Sequence, residues 1–490
     1  VIKHRQFLKN STLSVFQALI TGAILFLLYQ YLLQSIGSVG LGVWSLVLAC
    51  AAVLRIGDLG LSSSIVRYLS KYDACNNDEA GKKILQTGFF VTIIVMGFVL
   101  LIGFPVLKFI LRGLISSEES LNNAYTILPY VLFSVWLNSM ASIFLAGLDG
   151  FNRADLKSIT ITICGVIFYI TTKFLIPTNG IIGIAYAQIV QYLSLLTISL
   201  FLLNKQLKNK LNFIEFDLRS FKEMLSYGLN TQINSIAIML CDPLTKALLG
   251  KFGDISMVGY YEIVNRMINQ FRAILVSGTE ILIPIISNSH ENNNNNIKKL
   301  YETSHEINMS IAIPFFGIIA LTSPIISKIL LGEYQNTFIN FSILLALANL
   351  INVMSNIAYF MNLGTGKQRW NTIGHAVIAG MNIVLGLSLG VAFGGVGVVF
   401  AWCISFGIGS FITLYAYHWE NEIAFQKLVP KFYFISIILM FIGAFIAYFF
   451  NEFIRNSLYC LLFVGIFIIT PLIFSPFIKL FHNYLFSKNR

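Results

Sequence analysis

Charge is scarce in this chain. Asp, Glu, Lys and Arg together make up 11% of its 490 residues, about half the usual fraction, which is too little to solvate an ordinary globular surface. Cysteines and histidines number six each. Cys50, Cys164, Cys241, Cys403 and Cys460 stand singly inside apolar runs, Cys75 lies in a polar connection, and no CxxC occurs, so neither a disulfide framework nor a metal site is implied. Catalytic signatures are missing as well: there is no HExxH and no GxSxG, and Gly366-Lys367 lacks the earlier Gly and the following Ser or Thr of a nucleotide-binding loop. With no polar stretch long enough for an ATPase domain, the chain reads as a non-enzyme without a cofactor. Any work it does must draw on an ion gradient or on the gradient of its substrate.

Apolar sequence is plentiful. The hydrophobic share is 56% and the mean hydropathy +0.76. Runs of about 20 residues or more recur about fourteen times, at 11–34, 41–70, 84–111, 121–147, 154–176, 180–203, 221–250, 255–287, 303–330, 336–363, 371–392, 395–418, 431–450 and 456–478. The expected fold is an all-α polytopic membrane protein of about 14 transmembrane helices. The first run has full spanning length and no Ala-x-Ala site after it, so it is expected to stay as an anchor rather than be cleaved. Low complexity is confined to Asn292–Asn296, which reads as a flexible polar loop.

The formal net charge of +11 invites a nucleic-acid reading, but the basic residues sit between apolar runs. Lys3, Arg5 and Lys9, then Lys71, Lys82 and Lys83, then Arg153 and Lys157 fall in the N-terminal segment and in every second connection. Lys205 to Lys222, Lys298 and Lys299, Lys367 and Arg369, and Lys427 and Lys431 continue the pattern, while the alternate connections are nearly bare. Positive charge gathers on the cytoplasmic side, so both termini are expected there, and no nucleic-acid partner is expected.

An internal repeat supports two lobes. Gly150-Phe-Asn-Arg153 matches Gly366-Lys-Gln-Arg369 at a shift of about 216 residues, and Gly183-x-x-x-Ala187 matches Gly397-x-x-x-Ala401 at nearly the same shift. Six spans per half make the repeat parallel, about an axis along the membrane normal. The expected domains are an N-lobe over 1–203, a cytoplasmic linker over 204–220, a C-lobe over 221–418, and spans thirteen and fourteen with a cytoplasmic tail over 419–490.

Several charges fall inside the apolar runs. Arg55 and Asp58 lie three residues apart in span two, near Arg67, a spacing that puts the first two on one helical face. In span eight Glu262, Asn265, Arg266, Asn269, Ser277 and Glu280 share one helical stripe with Arg272 at its edge. Span seven adds Asp242 and Lys246 around Pro243, and span ten places Asn349, Asn352 and Asn356 near one face. A charge at the bilayer centre costs roughly 2.5–3.5 kcal/mol, so these groups must face an interior, as structural ion pairs or around a hydrated cavity. Asp242 and Lys246 read as a mutual pair or as cavity residues; Arg67 as a snorkelling group or a ligand-facing one. Lys173, His375 and His418 are lone groups with no assigned role.

One stretch carries a resemblance. Gly42-x-Trp44-Ser45-Leu46, Asp58-Leu-Gly60-Leu-Ser62, Val66-Arg67-Tyr68 and Ser70 resemble the second helix of the polysaccharide transporter family. That family includes the Wzx-type O-antigen flippases, within a superfamily shared with lipid II flippases and multidrug and toxin extrusion proteins. The resemblance implies a monomeric flippase in a bacterial inner membrane. Its substrate would be an undecaprenyl-pyrophosphate-linked oligosaccharide, moved from the cytoplasmic to the periplasmic leaflet by alternating access. A proton or sodium ion is the expected coupling ion, and a polysaccharide polymerase and a chain-length regulator are the expected protein partners. Arg55, Arg266, Arg272, Lys246 and Arg67 are the expected substrate-binding residues, and Asp58, Glu262, Glu280 and Asp242 the expected ion-coupling or counter-charge residues. Span one carries no arginine between Asn10 and Gln34, unlike the lipid II flippases, so a lipid II substrate fits less well. A cation-coupled drug antiporter is the rival within the superfamily, and the midplane arginines count against it. A membrane glycosyltransferase such as an O-antigen polymerase is the rival from another class; it calls for a long outward loop, and every outward connection here is short.

Overall fold

A computed structural model describes residues 2–75, 77–207, 215–280, 286 and 297–424. The described residues form helices joined by short turns, without a strand. In chain order these are α1 (Ile2–Val53), a 3-10 turn (Leu54–Asp58), α2 (Leu61–Ala74), α3 (Asp78–Leu114), α4 (Glu118–Gly150), α5 (Ala154–Asn179), α6 (Ile181–Gln206), α7 (Leu218–Phe252), α8 (Ile255–Glu280), α9 (Ile297–Leu331), α10 (Asn336–Gly364) and α11 (Arg369–Glu420). Expected spans one to six and nine to twelve fall on these elements throughout, as do span seven and most of span eight, while spans thirteen and fourteen and the Asn292–Asn296 loop lie outside the described residues. Eight of the helical stretches are long and apolar enough to cross a bilayer. α7 and α8 are not among them, because their polar residues lower the mean hydropathy.

Two of the long helices hold two spans each. α1 turns at Gly37 (φ 70°, ψ 178°) and α11 at Gly394 (φ 62°, ψ −147°), backbone angles that only glycine adopts without strain. The α5–α6 junction turns likewise at Gly180 (φ 54°, ψ −135°). The matched glycines of the repeat sit just beyond these turns: a Cβ on Gly183 would strike the Leu175 carbonyl, and one on Gly397 the Leu389 carbonyl. The same hairpin is therefore built in both halves of the sequence, by the same need for backbones to touch.

Span two is where the expectation fails. It is not one helix over 41–70. The α-helix ends at Val53, a single 3-10 turn carries Arg55 and Asp58, and Leu59 (φ 51°, ψ 20°) and Gly60 (φ 69°, ψ 19°) are left-handed before α2 begins. A 3-10 turn inside a membrane helix marks a hinge or a strained site, and a left-handed leucine costs roughly 1–3 kcal/mol. Gly60 relieves steric conflict with α7: its Cβ would meet the Gly228 carbonyl.

The chain falls into two compact units, Val1–Gly259 and Tyr260–Arg490. In the first, α4 packs on α6, α3, α1, α2 and α5, and α7 lies on α1, α3 and α2. Its core gathers Leu61, Ile65, Leu69, Leu85, Phe144 and Leu203, with Phe89 stacked on Phe144 at 4.9 Å. Ser70 donates to the Gly150 carbonyl at 2.8 Å, so the family stretch and the repeat motif meet here. In the second unit α10 is the central helix, packed on α9 and α11. Outward faces are apolar: Phe109 is 80% exposed, Leu101 and Val391 76% and Phe174 75%. Such a surface suits lipid and not water.

Candidate functional site

In the first unit the broken span two carries the site. Asp58 Oδ2 accepts a hydrogen bond from Ser62 Oγ at 3.3 Å, and Ser62 in turn meets Ser142 of α4 at 3.2 Å. Arg55 is the cation acting on Asp58 from within the same turn. In a 3-10 turn the side chains at i and i+3 eclipse, so Arg55 and Asp58 lie on the same side of the turn.

The other candidates of that unit are already engaged. Arg67 is exposed, and its guanidinium lies over the Tyr227 ring at 4.2 Å and near Tyr68 at 5.8 Å, a cation–π clamp between α2 and α7. Lys246 and Asp242 form a 2.8 Å ion pair, with the lysine side chain 4% exposed and the aspartate 39%. The ion-pair reading of these two fits the geometry, with Lys246 buried near Cys50 of α1.

In the second unit the stripe on α8 divides into two parts. Glu262 is fully buried and accepts from Arg266 Nε at 2.8 Å, while the arginine side chain is 46% exposed. Asn269 Nδ2 donates to Asn265 Oδ1 at 2.8 Å. The stripe is thus a buried acid carrying an accessible base, followed by an amide pair. Glu280 ends α8, and its side chain lies outside the described residues, as does that of Ser277.

Arg272 makes a different set of contacts. Its Nε donates to Asn352 Oδ1 at 2.8 Å, and Asn352 Nδ2 donates to Ser410 Oγ at 2.9 Å. The guanidinium sits 5.9 Å from the Phe406 ring, and Tyr359 and His375, themselves 5.7 Å apart, lie within its electrostatic reach. Three helices, α8, α10 and α11, therefore converge on one guanidinium. Its Nε–H is taken up by Asn352, which fixes the plane of the fork and leaves the terminal N–H groups to donate to a pair of anionic oxygens. Asn349 Oδ1 and Asn356 Nδ2, one turn either side of Asn352, are buried atoms with no protein partner, and such atoms call for water or a ligand.

Of the expected residues, the structure brings Arg272 to Asn352, Arg266 to Glu262, Lys246 to Asp242 and Arg55 to the turn of Asp58. Sequence reasoning misses Ser410, Phe406, Tyr359 and His375. Only tertiary packing gathers them, although the Asn349, Asn352 and Asn356 face points to the right side of α10. Among the described residues no group of three or more His, Cys, Asp and Glu side chains is placed to hold a metal ion.

The family described as "Polysaccharide biosynthesis protein" matches residues 40–340, the stretch that holds both arginine sites. The chain belongs to that family. A relative from Shigella flexneri named "Putative O-antigen transporter" is 22% identical over 413 residues, covering 81% of this chain and 94% of that protein. Among solved structures, the lipid II flippase MurJ in its inward closed conformation superposes with a TM-score of 0.74 at 17% identity, over 98% of this chain and 99% of that one. An inward-facing multidrug resistance MATE transporter of the MOP superfamily gives 0.68 at 14% identity, over 84% and 98%. At these identities the likeness establishes the fold alone, that of an all-α multi-pass membrane protein. This member of the polysaccharide biosynthesis family thus has transporters, not enzymes, as its relatives.

Proposed function

We propose that this protein flips an undecaprenyl-pyrophosphate-linked oligosaccharide, an O-antigen repeat unit or a similar surface glycan, from the cytoplasmic to the periplasmic leaflet of a bacterial inner membrane. The observation that carries the reading is Arg272, a guanidinium inside the helical bundle whose orientation Asn352 fixes and whose remaining donors match phosphate oxygens. A pyrophosphate supplies anionic oxygens for those donors, and the hydroxyls of an attached glycan can engage Asn349 Oδ1 and Asn356 Nδ2. The name of the Shigella flexneri relative supports the same substrate class. Arg266 on α8 is a further headgroup cation with Glu262 as its counter-charge, and Arg55, with Asp58, is the candidate anion-binding group of the first unit. Spans 1–6 and 7–12 form the two lobes of an alternating-access cycle, with both termini cytoplasmic and ion exchange supplying the direction.

The test is complementation of a strain that lacks its own flippase, read as surface polysaccharide. Arg272→Ala should abolish it. Arg272→Lys should restore only part of it, because the ammonium cannot keep Asn352 and present a fork at once. Full activity of Arg272→Ala at normal expression would remove the headgroup role.

A further inference from the structure

The start of α9 and the end of α11 meet at a buried cluster that the transport reading does not use. Tyr301, His305 and His418 are 1%, 2% and 2% exposed. The Tyr301 hydroxyl and His418 Nε2 are 2.6 Å apart, the His305 ring stacks on Tyr301 at 5.5 Å and 14°, and the two imidazoles lie 6.2 Å apart. Tyr417 packs its ring 4.6 Å from Tyr301. Lys298 Nζ crosses the same joint from outside, donating to the Glu422 carbonyl at 3.0 Å, and the turn after α11 is closed by Ile423 N donating to the His418 carbonyl at 2.9 Å.

Glu302 and Tyr417 are the titratable neighbours acting on Tyr301, and His305 and Glu302 those acting on His418. α10, which packs on both helices, has no Asp, Glu, Lys, Arg or His anywhere in Asn336–Gly364. Two imidazolium charges about 6 Å apart in such a place repel strongly, so the pair titrates as one unit and holds at most one proton. The hydrogen bond responds to that proton. A neutral His418 accepts from the Tyr301 hydroxyl through Nε2, or donates from it; an imidazolium can only donate, so the tyrosine hydrogen must turn away toward another acceptor, for which Glu302 is the acid at hand.

We propose that Tyr301, His305 and His418 form a single-proton binding site that makes the joint between the start of α9 and the end of α11 pH-dependent. The proton comes from hydronium at the end of the bundle where Lys298 and Lys299 lie, leaving water; one imidazole becomes imidazolium, and no covalent bond between heavy atoms changes. This site is separate from Arg272 and does not depend on the identity of the transported substrate.

The experiment titrates the full-length protein in lipid nanodiscs with 15N-labelled histidine between about pH 4.5 and 8.5, the range around the ordinary histidine value, assigning signals with His305→Gln and His418→Gln. In the wild type His305 and His418 should take up one proton between them. In His418→Gln, His305 should titrate alone with its midpoint moved by about half a pH unit or more, and Tyr301→Phe should move the midpoint of the pair. Hydrogen exchange at amides 297–305 should step with the same midpoint in the wild type and lose that step in His418→Gln, whereas a packing role alone would raise exchange equally at every pH. Two independent midpoints unmoved by the partner's removal would overturn the proposal. So would the absence of titration at both rings across the range. Should one histidine variant fail to fold, the other and Tyr301→Phe each remove a different member and decide between the same two outcomes.

Discussion

Gly228 of α7 lies so close to Gly60 that a Cβ on either would strike backbone: that of Gly60 the Gly228 carbonyl, that of Gly228 the Leu59 carbonyl. The seam continues with Ser64 Oγ donating to the Met224 carbonyl at 2.7 Å and the Tyr68 hydroxyl to the Glu223 carbonyl at 3.3 Å. It holds the broken span two against α7 beside the turn that carries Arg55 and Asp58.

Gly228→Ala should therefore destabilise the protein by about 1–3 kcal/mol, the usual result of forcing extra volume into a tight contact. Gly113 is the control. It sits in α3 with nothing within 4 Å of its would-be Cβ, so Gly113→Ala should be neutral or stabilise by up to about 1 kcal/mol. Thermal melts of the detergent-solubilised variants compare the two, and equal effects would rule out the close approach of α2 and α7.

The Glu262–Arg266 pair should be asymmetric under mutation. Glu262 is fully buried and Arg266 nearly half exposed, so Arg266→Gln takes away the charge that a buried carboxylate faces at 2.8 Å. That should cost about 3 kcal/mol, while Glu262→Gln costs less because an accessible arginine can turn to water. The double variant should recover most of the loss. A double-mutant cycle with no coupling between the positions would contradict the contact.

Outside the membrane helices, Asp217 caps α7 by accepting from the Ser220 backbone N–H at 2.7 Å, and hydrogen bonding to Ser220 holds its carboxyl below the ordinary aspartate range. A carboxylate with a depressed folded-state value contributes stability above its unfolded value, about 3.9, and loses it as pH falls through the folded value. Asp217→Ala should thus loosen the first turn of α7 at about pH 7, seen as faster hydrogen exchange at Ser220 and Phe221, and the difference from wild type should vanish in strong acid. Asp217→Asn should keep the cap and lose its pH dependence.

How far the sequence can be read depends on what each feature rests on. Spans, basic connections and repeat glycines are properties of local sequence, and Gly183 and Gly397 can be matched because both keep the same backbone contact eight residues back. The break after Val53 is hard to read because 54–60 has no proline and its charges, Arg55 and Asp58, keep a helical spacing; only Gly57 and Gly60 hint that the helix can stop. His418, a lone group in the sequence, belongs to a cluster because Tyr301 arrives from 117 residues away. Arg272 stands out through the energetics of burying charge, but Phe406 beside it and Ser410, which holds its partner Asn352, come from another helix that no periodicity links to it.

The coupling of transport to an ion should reside at the bend of span two. Asp58 keeps one weak hydrogen bond, from Ser62, and Arg55 is the cation that balances it. With the proposed substrate, a pyrophosphate that engaged Arg55 would withdraw that balance, and a carboxylate in a partly dry place would then favour a proton or a sodium ion. Release of the headgroup would restore Arg55 as the counter-charge and expel the cation, so the two ligands would alternate at neighbouring groups. The unwound backbone of Leu54–Gly60 suits this exchange, because carbonyls freed from a helix ladder can face a small cation. Asp58→Asn should leave headgroup binding measurable while flipping in liposomes becomes indifferent to an imposed proton or sodium gradient; Glu262→Gln, beside Arg266, is the matched test in the second unit. If Asp58→Asn still flips in proportion to the gradient, the acid is a structural counter-charge, and Glu262 becomes the site to which coupling must be assigned.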